Sequence, residues 1–177
     1  STLDCGSRDE SSILSFRPYD DHARAELKED NMKKTRILFV CKHNKFRSKI
    51  AEIYFKMINK NKNIIATSAG LIKGDFDRKK EVFVAKEFGI QIKGKPQGLS
   101  IDLIRKQNMI IIVANDVPKN TFDRKEYINF KTTKIIVWKI PDNPGATSVV
   151  KLRAIVKGII KKIDELNKQL NKTRKTK

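Results

Sequence analysis

Ile37-Leu38-Phe39-Val40-Cys41-Lys42-His43-Asn44-Lys45-Phe46-Arg47-Ser48 is the stretch on which the reading of this chain turns. Its first four residues form an unbroken apolar run, the pattern of a short strand buried on both faces. From Ser48 to Lys60 the apolar residues Ile50, Ile53, Tyr54, Met57 and Ile58 recur at helical spacing, which predicts a β-loop-α unit. The five residues between Cys41 and Arg47 suffice to wrap a tetrahedral oxyanion. Successive backbone N–H groups then point inward, and the helix behind directs its positive end at the ligand.

Outward from this unit the pattern alternates. Ile64–Thr67 predicts a second short strand, Arg78–Phe88 a helix ended by Gly89, and Ile101–Lys106 a short helix after a Gly/Pro-bearing loop. Met109–Ala114 and Ile135–Trp138 predict two more strands, and Ser148–Leu170 a long amphipathic helix. Strands separated by helices predict an α/β fold of three layers, with a central four-stranded parallel sheet between helices. Ligands in such folds bind at the carboxyl ends of the strands, where Cys41 is expected.

The composition narrows the function classes. At 177 residues the chain can bury one good core. No apolar run approaches the ~18 residues of a membrane span, and the N-terminus lacks a secretory-signal pattern, so a cytoplasmic location is expected. Cys5 and Cys41 are too few for a disulfide framework and stand in no CxxC or Cys/His ligand pattern, so no structural zinc site is expected. A net charge of +19 invites a nucleic-acid reading. The lysines are dispersed along every predicted helix, however, so solvated faces are the expectation and no specific nucleic-acid partner is.

The charge is uneven along the chain. Residues 1–31 carry eight acids and four bases, against 12 acids and 35 bases in the remainder. Met32-Lys33-Lys34-Thr35-Arg36 then leads into the first apolar run like a natural start. Residues 1–31 are therefore expected to be a disordered leader or appended extension, and 32–177 the folded domain, its end from Asn171 a frayed tail.

The loop carries chemistry. Cys41 inside a cradle of donors beside a guanidinium is favoured as thiolate, a ready nucleophile. Arg47 offers a planar fork matching two phosphoryl oxygens, and Ser48 is placed to donate to the sulfur. A Cys-x5-Arg spacing alone is weak evidence; a preceding buried strand, a following Ser and a helix start strengthen it. The competing reading is an inert buried cysteine closing the strand.

Val40-Cys41-Lys42-His43-Asn44-Lys45-Phe46-Arg47-Ser48, followed by Ala51-Glu52, resembles the signature of the low-molecular-weight protein tyrosine phosphatases and their arsenate-reductase relatives, Val-Cys-x-Gly-Asn-x-Cys-Arg-Ser and then Ala-Glu. The resemblance spans roughly Lys34 to Leu166. Ser68-Ala69-Gly70 is similar to the family's Ser-Ala-Gly, which implies a supporting hydrogen bond between Ser68 and Asn44. Met109–Asp116 resembles the apolar strand with an acidic end that follows. The resemblance implies a metal-free, cofactor-free phosphatase acting through a cysteinyl-phosphate on phosphorylated protein or a small phosphate ester, with inorganic phosphate as product. Protein phosphotyrosine is the leading substrate, with phosphoarginine and small esters left open.

Three departures matter. His43 stands where the family has Gly, so the loop must either take positive φ at a non-Gly residue or relax. Phe46 replaces the second loop cysteine, which removes the family's protective disulfide and leaves no resolving cysteine in the core. Asn143 separates Asp142 from Pro144, where the family has an Asp-Pro pair, and no aromatic follows nearby. Asp142 is assigned as the general acid and base, against the bland reading of a turn acid; Asp116 is the runner-up, or else a helix cap. Lys42, His43 and Lys45 either favour acidic substrates at the mouth or are solvated surface. The alternative functions are an arsenate reductase using an external small thiol and a non-catalytic phosphate- or nucleic-acid-binding module.

Overall fold

Four parallel strands form one sheet in the computed structural model, which describes residues 34–74, 78–122, 133–143 and 148–172. In chain order the elements are β1 (Thr35–Cys41), α1 (Arg47–Ile58), β2 (Ile64–Gly70), α2 (Lys79–Glu87), α3 (Ile101–Arg105), β3 (Met109–Val113), a 3-10 turn (Lys119–Phe122), β4 (Lys134–Trp138) and α4 (Val149–Lys172). The sheet order is β2-β1-β3-β4, with Cys41 opposite Gly70 at its carboxyl edge. The three-layer α/β expectation is met. The expected leader, residues 1–31, lies outside the described residues. At the other end α4 runs on through Asn171 and Lys172, so the expected fraying from Asn171 is corrected there, and residues 173–177 lie outside the description.

Alternation within the strands builds two cores. Ile37 and Phe39 face one side with Ile111, Val113 and Trp138, covered by Ile50, Ala51 and Phe55 of α1, Val84 and Ala85 of α2, and the apolar stripe of α4. Leu38 and Val40 face the other with Ile110 and Ile112, covered by Ile104 of α3 and Phe122 of the 3-10 turn. That is why these strands read as continuous apolar runs: both pleat faces are buried. The stripe of α4, Leu152, Ile155, Val156, Ile159, Ile163 and Leu166, recurs at three- and four-residue intervals. Polar links tie the helices together: Tyr54 donates to Asp164 at 3.1 Å, and Arg153 grips Glu87 through two hydrogen bonds of 2.7 and 2.8 Å.

From β1 the chain steps to β2 on one side, then returns through α2 and α3 to β3 on the other. The sheet therefore has its topological switch between β1 and β3, the place where open α/β sheets leave a crevice for ligand. The Cys41–Arg47 loop opens there. Gly89, at φ 73°, makes the reversal after α2 that lets the chain return.

Candidate active site

The loop after β1 is shaped by where its carbonyls go. Leu71 N–H donates to Cys41 O at 3.0 Å, Ile72 N–H to Lys42 O at 2.8 Å and Gly74 N–H to His43 O at 3.1 Å. Arg78 Nη1 donates to Lys45 O at 3.3 Å. A trans peptide points its N–H opposite to its C=O, and none of these peptides is cis. With four carbonyls held outward, the N–H groups of Lys42, His43, Asn44 and Phe46 turn to the inside of the loop. Consecutive inward amides make an anion-binding concavity. Behind them α1 begins at Arg47 with no side-chain cap and no acid in its first turn, so its positive end is left to the loop.

Asn44 organises the interior. It is fully buried and takes φ 52°, so the left-handed residue of the loop is Asn44, and His43 needs no positive φ. Asn tolerates that region because its short side chain bonds locally. Its Oδ1 accepts from Gln97 N–H at 2.8 Å, which fixes the amide's orientation. Its Nδ2 then donates to Ser48 Oγ at 2.9 Å and to Ser68 Oγ at 2.8 Å. Ser68 passes its own hydrogen to Glu52 Oε2 at 2.5 Å. Ser48 Oγ lies 3.0 Å from Cys41 Sγ. Because an amide nitrogen only donates, Ser48 accepts from Asn44 and has its hydrogen left for the sulfur.

Arg47, almost wholly buried, reaches across the switch point. Its Nη1 lies 2.9 Å from Asp116 Oδ1 and donates to Ile140 O at 3.2 Å; its Nη2 meets Asp116 Oδ2 and Asp142 Oδ1, each at 3.2 Å. Asp116 follows β3, Ile140 and Asp142 follow β4, and Arg47 opens α1, so the guanidinium gathers three strand ends. Burial alone would raise the Asp116 carboxyl. The hydrogen bond and charge of Arg47, with help from Lys42, outweigh it and hold the group below the usual carboxylate range. A carboxylate kept ionised in this way is a poor proton donor, and it anchors Arg47 instead. Asp142 is more exposed than Asp116, 41% against 26% for the side chains.

The remaining residues singled out in the sequence take separate places. Phe46 turns its ring into the larger core while its backbone precedes α1. Lys42, His43 and Lys45 are half-buried around the loop. Asn143 is buried and donates to Ser148 O at 3.1 Å, tying the loop after β4 to the start of α4. Pro144 and Gly145 lie outside the described residues. Sequence reasoning missed Gln97, Glu52 as a partner of Ser68, and Arg78. Glu52 had a signal in the Ala51-Glu52 pair; a backbone N–H such as that of Gln97 has none.

Gly70 closes the floor. A Cβ there would sit 2.6 Å from His43 C and 2.7 Å from both Asn44 N and Ile72 O, all backbone atoms. Gly70→Ala is expected to cost about 1–3 kcal/mol as the loop shifts, lowering the thermal midpoint by roughly 2 °C or more. An unchanged melting curve would show that the floor yields freely.

Residues 36–176 match the family model described as low molecular weight phosphotyrosine protein phosphatase. The chain belongs to that family. It is accordingly a hydrolase of the low-molecular-weight phosphatase type. No curated protein matches the chain. Among solved structures it is similar to the YwlE arginine phosphatase from Geobacillus stearothermophilus, at 21% identity and a TM-score of 0.65, covering 79% of this chain and 95% of that one. The low molecular weight protein tyrosine phosphatase from T. tengcongensis is 21% identical with a TM-score of 0.64, covering 77% and 99%. An arsenate reductase from Archaeoglobus fulgidus is 22% identical with a TM-score of 0.55, covering 74% and 98%. Phosphatases and arsenate reductases thus share this fold, so within the family the reaction must be argued from the side chains.

Proposed function

We propose that the chain hydrolyses phosphate monoesters through a cysteinyl-phosphate, with protein phosphotyrosine as the leading substrate. The observation that carries this reading is the donor chain from Gln97 N–H through Asn44 to Ser48, which leaves a hydroxyl hydrogen for Cys41 Sγ inside a loop of inward amides. Cys41 attacks phosphorus as the bond to the leaving oxygen breaks, and the phosphoryl oxygens rest on the loop amides and Arg47. Asp116 keeps hold of Arg47, while the phosphoryl group displaces the exposed Asp142 from it. Asp142 then protonates the leaving oxygen. In the second step a water gives a proton to Asp142 and attacks phosphorus, and the S–P bond breaks to release inorganic phosphate and the thiolate.

Lys42 and Lys45 are the recruiting charges for the substrate dianion at the mouth, with His43 between them. No helix among the described residues is long and apolar enough to cross a membrane. The family match and the phosphatase neighbours support phosphate-ester chemistry. An arsenate reductase drawing on an external small thiol is the second reading, favoured by the Archaeoglobus neighbour. Phe46 in the position of the second loop cysteine weighs against an internal disulfide relay.

Aryl phosphates of graded leaving-group acidity test the proposal. Asp142→Asn should lose on the order of 10²–10⁴-fold in kcat on poor leaving groups, the span of general acid catalysis, and far less on para-nitrophenyl phosphate. A uniform loss across the series would remove Asp142 from the role. If the unsubstituted chain releases no phosphate but oxidises a small thiol in the presence of arsenate, the reductase reading takes over.

A further inference from the structure

Arg78 is a buried cation to which the hydrolytic reading assigns no task. It is 7% exposed and precedes α2. Nη1 donates to Lys45 O at 3.3 Å and Nη2 to Gly94 O at 2.6 Å. Among the described residues no carboxylate pairs with it. Buried arginines are ordinarily paired with an acid, because desolvating a lone charge is costly. Among the described residues this one is held by two carbonyl dipoles and not by an acid.

The three other outward carbonyls of the loop, those of Cys41, Lys42 and His43, are held by backbone N–H groups of Leu71, Ile72 and Gly74. Among the described residues, the Lys45 carbonyl is the one of the four held outward by a side chain. The Lys45–Phe46 peptide is trans, so pulling its oxygen toward Arg78 turns the Phe46 N–H into the loop. Gly94, at φ 74°, presents the second carbonyl that keeps the guanidinium in place. We infer that Arg78 is a positioning residue of the oxyanion cradle, turning the Phe46 amide inward and placing a positive charge behind the loop. The inference rests on the reading of this loop as a phosphoryl cradle. It extends that reading by locating part of the anion affinity in a residue outside the Cys-x5-Arg segment. In the resting site Arg47 is paired with Asp116 and Asp142, so a second cation, held among the described residues by carbonyls alone, adds attraction that Arg47 does not.

Calorimetric titration of the full chain with inorganic phosphate tests this without requiring turnover. Arg78→Met should bind phosphate about 10-fold more weakly, the effect of one charge-assisted hydrogen bond and its charge. Arg78→Lys keeps the charge but not the two-carbonyl fork, and should fall between Met and wild type. Phe55→Leu, a core variant on α1, serves as the control for lost stability alone. Phosphate affinity in a folded Arg78→Met equal to that of Phe55→Leu overturns the inference. Should Arg78→Met not fold, Arg78→Lys decides: affinity equal to wild type overturns the inference, and a loss of about threefold with an intact fold supports it. Wild type that binds no phosphate overturns the cradle reading itself, a failure separate from any result on Arg78.

Discussion

Cys41→Ser is expected to lower kcat for para-nitrophenyl phosphate by on the order of 10⁴–10⁶-fold, the scale seen when a covalent nucleophile is removed. The serine hydroxyl would fill nearly the same space and meet the same Ser48 Oγ, which lies 3.0 Å from the sulfur in the native site. What changes is the nucleophile: a thiol ionises readily, an alcohol does not, and nothing within the described loop takes a proton from it. Because Arg47 and the inward amides are untouched, inorganic phosphate should bind the variant within a few-fold of wild type. Binding without turnover separates loss of chemistry from loss of the site. A variant that keeps a hundredth or more of the wild-type kcat would rule out attack by Cys41.

Arg47→Lys is expected to lower kcat/KM by on the order of 10²–10³-fold, the loss for one oxyanion-stabilising group. The guanidinium makes four contacts at once, two with Asp116 and one each with Asp142 and Ile140 O. An ammonium is a point charge without that planar fork, and it cannot hold Asp116 and two phosphoryl oxygens together. The same charge in a poorer geometry therefore measures orientation and not attraction. If Lys at this position retained activity within threefold of wild type, bidentate recognition would play no part.

The strands and the phosphate loop were legible because each is a local pattern. Ile37–Val40 and Met109–Ala114 are apolar without interruption because both faces of the sheet are covered, and the helices carry their stripes at three- and four-residue intervals. Boundaries moved by up to three residues where hydrogen bonding outlasts hydrophobicity. β2 was expected to end at Thr67, yet it runs through Ser68, Ala69 and Gly70 because these pair with β1 as far as Cys41. His43 stands in place of a glycine, yet the positive φ falls on Asn44. A loop conformation is chosen by all its hydrogen bonds together, and the partner that orients Asn44 is a backbone N–H with no side-chain signature.

By itself the sequence determined the β-loop-α unit, the position of Cys41 at a strand end, and the spacing that puts Arg47 and Ser48 at the start of the next helix. These follow from periodicity and from the reach of a five-residue loop, both short-range properties of the chain. Only the tertiary structure decided that Asp116 and Asp142 meet at Arg47, 69 and 95 residues along the chain. It also decided that Ser68 joins Glu52 to Asn44 and that Arg78 braces Lys45. Those contacts depend on the sheet order β2-β1-β3-β4, which sets β1 between the two halves of the chain. That order is imposed by burying two apolar faces at once, and it brings the strand ends together wherever the connecting segments happen to fall in sequence.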